Sequence, residues 1–241
     1  MKKVLKRISI LLIGIIAVIF IAFFVWAKID YKPTQVALTA IKSDNLVKVN
    51  NDEFITFTPK NVRPTKGFIF YPGAKVDPES YAPLCQQIAE KGFLVVIAPM
   101  PLDLAILSPN KAGEIIDKFK DINTWAIGGH SLGGVMACDY AVKNPKVKGV
   151  VLYASYPQGD ELKNSDKKVL SIYGSLDGVA NLEKVRKAAL PKDSEIVEIT
   201  GGNHGQFGSY GEQSGDNKAT ISNEKQIDIA AEDTVNFLKG L

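Results

Sequence analysis

One serine stands in a pattern that is typical of an enzyme nucleophile. Ser131 lies at the centre of the sequence G-H-S-L-G at residues 129–133, between an apolar strand-like run at 124–128 and an amphipathic segment at 131–143. In this context the serine sits on a sharp strand-to-helix turn that exposes its hydroxyl, and the glycines relieve clashes that a Cβ would create. The pattern predicts attack by Ser131 on an acyl carbon. The plainer alternative is a glycine-rich turn closed by a helix-capping serine.

A serine nucleophile needs a base, and the chain contains two histidines. His130 is a poor candidate because its side chain is expected to point away from its neighbour Ser131. His204 lies in a polar, glycine-rich loop directly after a strand-like run at residues 194–199. From the carboxyl end of a strand its ring can reach a serine at the end of a nearby strand, so we expect His204 to be the general base. The alternative is a solvated loop side chain.

The acid that orients such a histidine is expected at the end of the preceding strand. Asp177 follows the strand-like run at residues 168–173, and its carboxylate would accept the imidazole Nδ1–H. Its alternative role is to cap a helix that begins in the same turn. Asp160 and Glu161 are weaker candidates, because they follow an earlier strand at residues 149–154.

Acyl transfer also needs donors for the developing oxyanion. An apolar run at residues 67–71 leads into Pro72-Gly73, where the chain can turn and aim the Ala74 amide inward beside the amide of Leu132. We predict that these two amides form the oxyanion hole. Lys75 is either a solvated loop cation or a group that attracts an anionic substrate.

Three longer motifs carry a family resemblance, together with Ser131, Asp177 and His204. They are F-Y-P-G-A-K-V-D-P at residues 70–78, A-P-M-P at 98–101 and G-N-H-G-Q-F-G at 202–208. With them, residues 45–241 resemble the α/β-hydrolase superfamily, in which the triad follows the chain order Ser, Asp/Glu, His. Within it the chain is similar to small bacterial proteins called dienelactone-hydrolase-like. Dienelactone hydrolases proper carry a cysteine nucleophile, so Ser131 favours a serine esterase.

The elements that must position these residues alternate along the chain. Strand-like segments are predicted at residues 46–50, 54–58, 67–71, 93–97, 124–128, 149–154, 168–173 and 194–199, with helices near 78–91, 110–120, 131–143, 178–189 and 222–239. This alternation predicts an α/β-hydrolase fold, with a mostly parallel eight-stranded sheet, flanking helices and an antiparallel hairpin at its start. The segment between the sixth and seventh strands is too short for a large cap. Gln206 and Phe207, in the irregular loop at residues 205–220, are candidate substrate contacts.

The first 27 residues differ from the rest. Four basic residues precede about twenty uncharged ones at residues 8–27, enough to span a bilayer. Bulky side chains where a signal peptide would be cleaved favour an uncleaved anchor over a signal peptide. The basic cluster predicts a cytoplasmic amino terminus and an extracytoplasmic catalytic domain. We therefore expect an anchor at residues 1–27, a tether at 28–45 and the catalytic domain at 46–241.

Charge and composition narrow the function classes. The formal net charge is +3, and the basic cluster accounts for all of it, so no basic surface remains to indicate nucleic-acid binding. Cys85 and Cys138, the two cysteines, are expected in helices as small core residues. The sequence favours a hydrolase of a small-molecule ester or lactone that needs neither metal nor cofactor. An acyltransferase to a cell-envelope acceptor and a non-catalytic binding protein on the same fold are the alternatives.

Overall fold

A computed structural model describes residues 2–28 and 30–241, and the chain divides into two compact units between residues 30 and 31. The first unit is one helix, α1 (Lys2–Lys28). Its window Lys6–Phe23 has a mean hydropathy of 2.4, and by length and composition α1 could cross a membrane or serve as a signal sequence.

The second unit is built on one eight-stranded sheet in the order β1-β2-β4-β3-β5-β6-β7-β8. β1 pairs antiparallel with β2, and β2 pairs antiparallel with β4, whereas every other neighbouring pair is parallel. The predicted mostly parallel sheet with an initial hairpin is confirmed. The strands are β1 (Val47–Asn51), β2 (Ile55–Pro59), β3 (Lys66–Tyr71), β4 (Leu94–Ile97), β5 (Thr124–His130), β6 (Val147–Tyr153), β7 (Lys168–Gly174) and β8 (Glu195–Ile199).

Helices cover both faces of the sheet, as buried parallel strands require. One apolar core forms where α3 and α7 pack on one face, and a second forms where α4 and α5 pack on the other. Cys85 and Cys138 are buried with free thiols, one in each core. The helices are α2 (Gln35–Ala40), α3 (Ala82–Glu90), α4 (Lys111–Lys118), α5 (Leu132–Lys143), α6 (Leu182–Arg186) and α7 (Asn223–Lys239).

The loops after the parallel strands share one edge of the sheet, because parallel strands all end on the same side. The loops after β3, β5, β7 and β8 carry the predicted oxyanion donors, nucleophile, acid and base. In the described part of the chain, residues 154–167 between β6 and β7 contain no helix or strand. The expected absence of a large cap therefore holds for this connection.

The expected tether at residues 28–45 is too long, because the chain joins the second unit at Tyr31. The Tyr31 amide donates to the carbonyl of Lys75 at 2.7 Å, and the Tyr31 carbonyl accepts from the amide of Asp77 at 3.0 Å. α2 follows, with Ala37 fully buried and Ala40 nearly so. The sequence gives little sign of α2, because most of its flanking residues are polar and its buried residues are alanines.

The helix predicted at residues 178–189 is also shorter in the structure, where α6 spans only Leu182–Arg186. The amides of Val179 and Ala180 donate to Asp177 and are held in a turn. Asn181 then caps α6 by accepting from the amide of Lys184. Pro191 lies shortly beyond the helix end and disfavours its extension.

Candidate active site

Ser131 occupies a strained backbone position between β5 and α5. Its φ of 51° and ψ of −121° place a residue with a Cβ in a region that mainly glycine adopts. Its amide donates to the carbonyl of Tyr153 at 3.0 Å, and its carbonyl accepts from the hydroxyl of Ser155 at 2.7 Å. Residues at the end of β6 and just after it thus hydrogen-bond to both the amide and the carbonyl of Ser131. The serine itself remains half-exposed.

Two glycines make the turn possible because they allow backbone to approach backbone. A Cβ on Gly129 would lie 2.5 Å from the carbonyl carbon of Gly133 and 2.7 Å from the carbonyl oxygen of Tyr71. A Cβ on Gly133 would overlap the carbonyl oxygens of Tyr71 and Pro72. The start of α5 is therefore pressed directly against the loop after β3.

Asp177 and His204 lie within hydrogen-bond distance of each other, buried at the ends of β7 and β8. Asp177 Oδ2 lies 2.8 Å from His204 Nδ1, and both side chains are almost inaccessible to solvent. Asp177 Oδ1 accepts from the amides of Val179 at 2.8 Å and Ala180 at 2.7 Å. One carboxylate thus makes the turn-capping contacts and the histidine contact that the sequence offered as alternatives. Asp160 and Glu161 are exposed instead.

The ring of His204 contacts the serine turn at His130, the residue before Ser131. The ring centroids of His204 and His130 are 4.4 Å apart, and His130 directly precedes Ser131. His204 Nε2 is buried and has no hydrogen-bond partner among the described residues, so Ser131 does not hydrogen-bond to it in this structure. Such contacts are often long in a free enzyme and tighten when substrate binds.

The loop after β3 lies beside the serine turn. Of the two predicted oxyanion donors, Ala74 follows Gly73 in this loop and Leu132 begins α5. Within the described residues neither amide donates a hydrogen bond. Lys75, with a φ of 60°, donates its amide to the carbonyl of Asp103 at 2.9 Å. Both predicted donor amides therefore have no acceptor among the described residues.

A buried hydrogen-bonded chain that the sequence did not indicate supports this loop. The Gly73 amide donates to the Tyr81 hydroxyl at 3.0 Å, and that hydroxyl lies 2.9 Å from His130 Nδ1. Burial raises the pKa of Tyr81 well above its ordinary value and lowers that of His130 well below 6.5, with His204 adding to the second effect. The Tyr81 phenol therefore keeps its proton and the His130 imidazole is neutral, so this buried pair carries no charge.

The two candidate substrate contacts after His204 have different surroundings. Phe207 is fully buried, with its ring 5.9 Å from the ring of His130 and 5.7 Å from that of Tyr153. The expectation of a substrate contact at Phe207 is therefore wrong, because it belongs to the core beneath the site. Gln206 is partly exposed, and its amide group donates to the carbonyl of Ile221 at 3.3 Å.

Comparisons with known proteins agree with this architecture. The model of a family described as the alpha/beta hydrolase family matches residues 67–228. No curated protein matches the chain.

Three solved structures share the fold at low sequence identity. An esterase from Pyrobaculum calidifontis has a TM-score of 0.60 and 14% identity, covering 85% of this chain and 88% of its own. The esterase domain of a Rhodothermus marinus protein has a TM-score of 0.59 and 13% identity, covering 76% and 90%. A predicted CIB-like hydrolase from Thermoplasma acidophilum has a TM-score of 0.58 and 17% identity, covering 83% and 98%.

Proposed function

The chain belongs to the alpha/beta hydrolase family, and from that premise we propose that it is a serine esterase with Ser131 as its nucleophile. The observation that carries the proposal is the buried 2.8 Å contact between Asp177 and His204 beside the strained turn at Ser131. Two of the three structural neighbours described above are named as esterases, which supports an ester as the substrate.

In the proposed first step, Ser131 Oγ forms a bond to the acyl carbon of the ester. His204 donates its Nδ1–H to Asp177, so its Nε2 carries a free lone pair and takes the serine proton. The proton then passes from Nε2 to the leaving alcohol as the ester C–O bond breaks. Asp177 stabilises the imidazolium that exists between these two events.

The tetrahedral oxyanion is proposed to lie between the amides of Ala74 and Leu132. Each such donor contributes about 3 kcal/mol to transition-state stabilisation. In the second step a water oxygen forms a bond to the acyl carbon while His204 Nε2 takes a proton from that water. The bond between the acyl carbon and Ser131 Oγ then breaks, the carboxylic acid leaves, and His204 passes the proton to Ser131 Oγ. Side chains and backbone amides supply every proton transfer and charge contact in this mechanism.

The proposal extends to the location of the enzyme. α1 begins with basic residues and contains an uncharged stretch, which supports an anchor with its amino terminus in the cytoplasm. On this reading the catalytic unit acts on the extracytoplasmic side. Lys75, half-exposed beside the proposed oxyanion hole, would favour substrates that carry a negative charge.

Labelling with a fluorophosphonate tests the nucleophile. The full chain in detergent is expected to gain the mass of one label, and Ser131→Ala is expected to gain none while remaining folded by circular dichroism. Ester hydrolysis is expected to fall by about 10⁴-fold or more in Ser131→Ala and in His204→Ala. Ser194→Ala is the matched control, because its hydroxyl donates to the carbonyl of Pro191 in a turn before β8. Undiminished labelling or hydrolysis in Ser131→Ala would contradict the proposal.

A further inference from the structure

The proposed acid and base belong to two separate loops, and their contact depends on how those loops are held together. Asp177 lies in the loop after β7, and His204 in the loop after β8. The loops meet in the backbone, where the Leu176 amide donates to the carbonyl of Gly202 at 2.8 Å. Leu176 and Gly202 precede Asp177 and His204 in the sequence. Holding the two loops together on the other side of these residues therefore requires a second contact.

A single carboxylate supplies this second connection. Asp216 Oδ1 accepts from the amide of Gly178, the residue after Asp177, at 2.9 Å. Asp216 Oδ2 accepts from the amide of Gly205, the residue after His204, at 2.8 Å. Each oxygen of one side chain therefore holds a different catalytic loop.

The carboxylate is itself held in place by the long loop that carries it. Asp216 Oδ1 also accepts from the amide of Asn217 at 2.9 Å, and the Asp216 amide donates to the carbonyl of Gln213 at 3.1 Å. The side chain of Asn203 donates to the carbonyl of Asn217 at 2.7 Å, which ties this loop to the residue before His204. The position of Asp216 is thus set by contacts other than the two that it makes to the catalytic loops.

We propose that Asp216 is a positioning residue, whose two oxygens keep Asp177 and His204 in register for proton transfer. The inference rests on the proposed function and deepens it by assigning a role to the loop at residues 205–220. Only a carboxylate can do this, because both atoms that face the loops must be acceptors. In Asp216→Asn one of the two positions becomes an NH₂ group facing an amide N–H, whichever way the amide is turned.

Kinetics of Asp216→Asn and Asp216→Ala in the full chain test the role. We expect kcat to fall by about 10- to 100-fold with KM within about twofold of wild type, because misplacing a catalytic group slows chemistry more than binding. Asp44→Asn is the matched control: Asp44 also accepts from two backbone amides, those of Leu46 and Val47, at 2.7 Å, in a turn before β1. Its kinetic constants should equal those of wild type.

A spectroscopic measurement separates this inference from the esterase proposal, because it needs no substrate. A histidine N–H bonded to a buried carboxylate gives a far-downfield proton resonance, which Asp177→Asn should remove and Asp216→Asn should shift or broaden. An unchanged resonance together with unchanged kcat in Asp216→Asn would overturn the inference. So would loss of folded protein in both Asp216 variants, since the residue would then serve stability alone. A wild type that hydrolyses no ester but shows the Asp216-dependent resonance would count against the esterase proposal only.

Discussion

At the scale of single residues, His130 shows how a second histidine can lie against the proposed base without competing for its task. His130 is 1% exposed, its Nδ1 lies 2.9 Å from the Tyr81 hydroxyl, and its Nε2 has no partner among the described residues. A charge on this ring would be buried and would face His204. The neutral form is therefore strongly favoured in the folded protein, as the lowered pKa of His130 indicates.

This lowered pKa predicts a stability that falls on acidification. In the unfolded chain His130 takes up a proton near pH 6.5, whereas in the folded protein it does so only at a much lower pH. Below about pH 6.5 the unfolded state therefore binds one more proton, and the free energy of unfolding decreases by about 1.4 kcal/mol per pH unit from this group. Urea unfolding of wild type and His130→Asn between about pH 5 and 8 measures the difference. If the free energies of unfolding of the two proteins depended on pH in the same way, the prediction would be contradicted.

The sequence revealed the residue types of the proposed triad but not the groups that support them. Ser131 and His204 were found from glycine-rich loops after strand-like runs, and these signals are local. Tyr81 and Asp216 each join a nearby loop amide to a group far away in the sequence: Tyr81 contacts His130, 49 residues away, and Asp216 contacts Gly178, 38 residues away. A loop position in the sequence does not show that the ring of Phe207 packs into the core.

At the scale of elements, the serine turn and the loop after β3 form one packed joint. Gly133→Ala would drive a Cβ into the carbonyl oxygens of Tyr71 and Pro72, which are backbone atoms and cannot rotate away. We expect a loss of about 3 kcal/mol in the free energy of unfolding and a large loss of phosphonate labelling.

Gly113→Ala provides the control for that substitution. Gly113 lies inside α4, and its added Cβ would stand 3.5 Å from the Tyr140 hydroxyl, an ordinary contact. Alanine favours helix, so this variant should be more stable by about 0.5–1 kcal/mol and should label like wild type. Urea unfolding curves that rank Gly133→Ala equal to Gly113→Ala would show that the joint is not packed as described.

The helices and strands differ in how well their bounds can be predicted from the sequence. β3, β4 and β6 are buried on both faces, so they read as continuous apolar runs and were predicted to within two residues. α2 was missed because it is six residues long and buries only alanines. α6 was overextended because hydrogen bonds to Asp177, rather than helix propensity, fix the chain before it.

At the scale of the whole molecule, the boundary between the two units decides which fragment is a complete catalytic unit. Residues 31–45 contribute a backbone pairing of Tyr31 with the loop that carries Lys75, a hydrogen bond from the Thr34 amide to the carbonyl of Ser209 at 2.8 Å, and the buried alanines of α2. These contacts touch the loop after β3 and the loop after β8. A fragment that lacks them loses support on both sides of the proposed site.

Three chains test this boundary and the anchor together. The full chain should stay with membranes after alkaline carbonate extraction, retain residues 1–27 by intact mass, and be digested by protease added outside right-side-out vesicles. A fragment of residues 31–241 should be soluble and match the full chain in urea midpoint and labelling. A fragment of residues 46–241 should unfold at lower urea, because four backbone hydrogen bonds at about 1 kcal/mol each and the burial of α2 are lost. Equal stability of the two fragments would indicate that residues 28–45 are a tether, as the sequence predicts. Release of the full chain by carbonate would contradict the proposed membrane anchor.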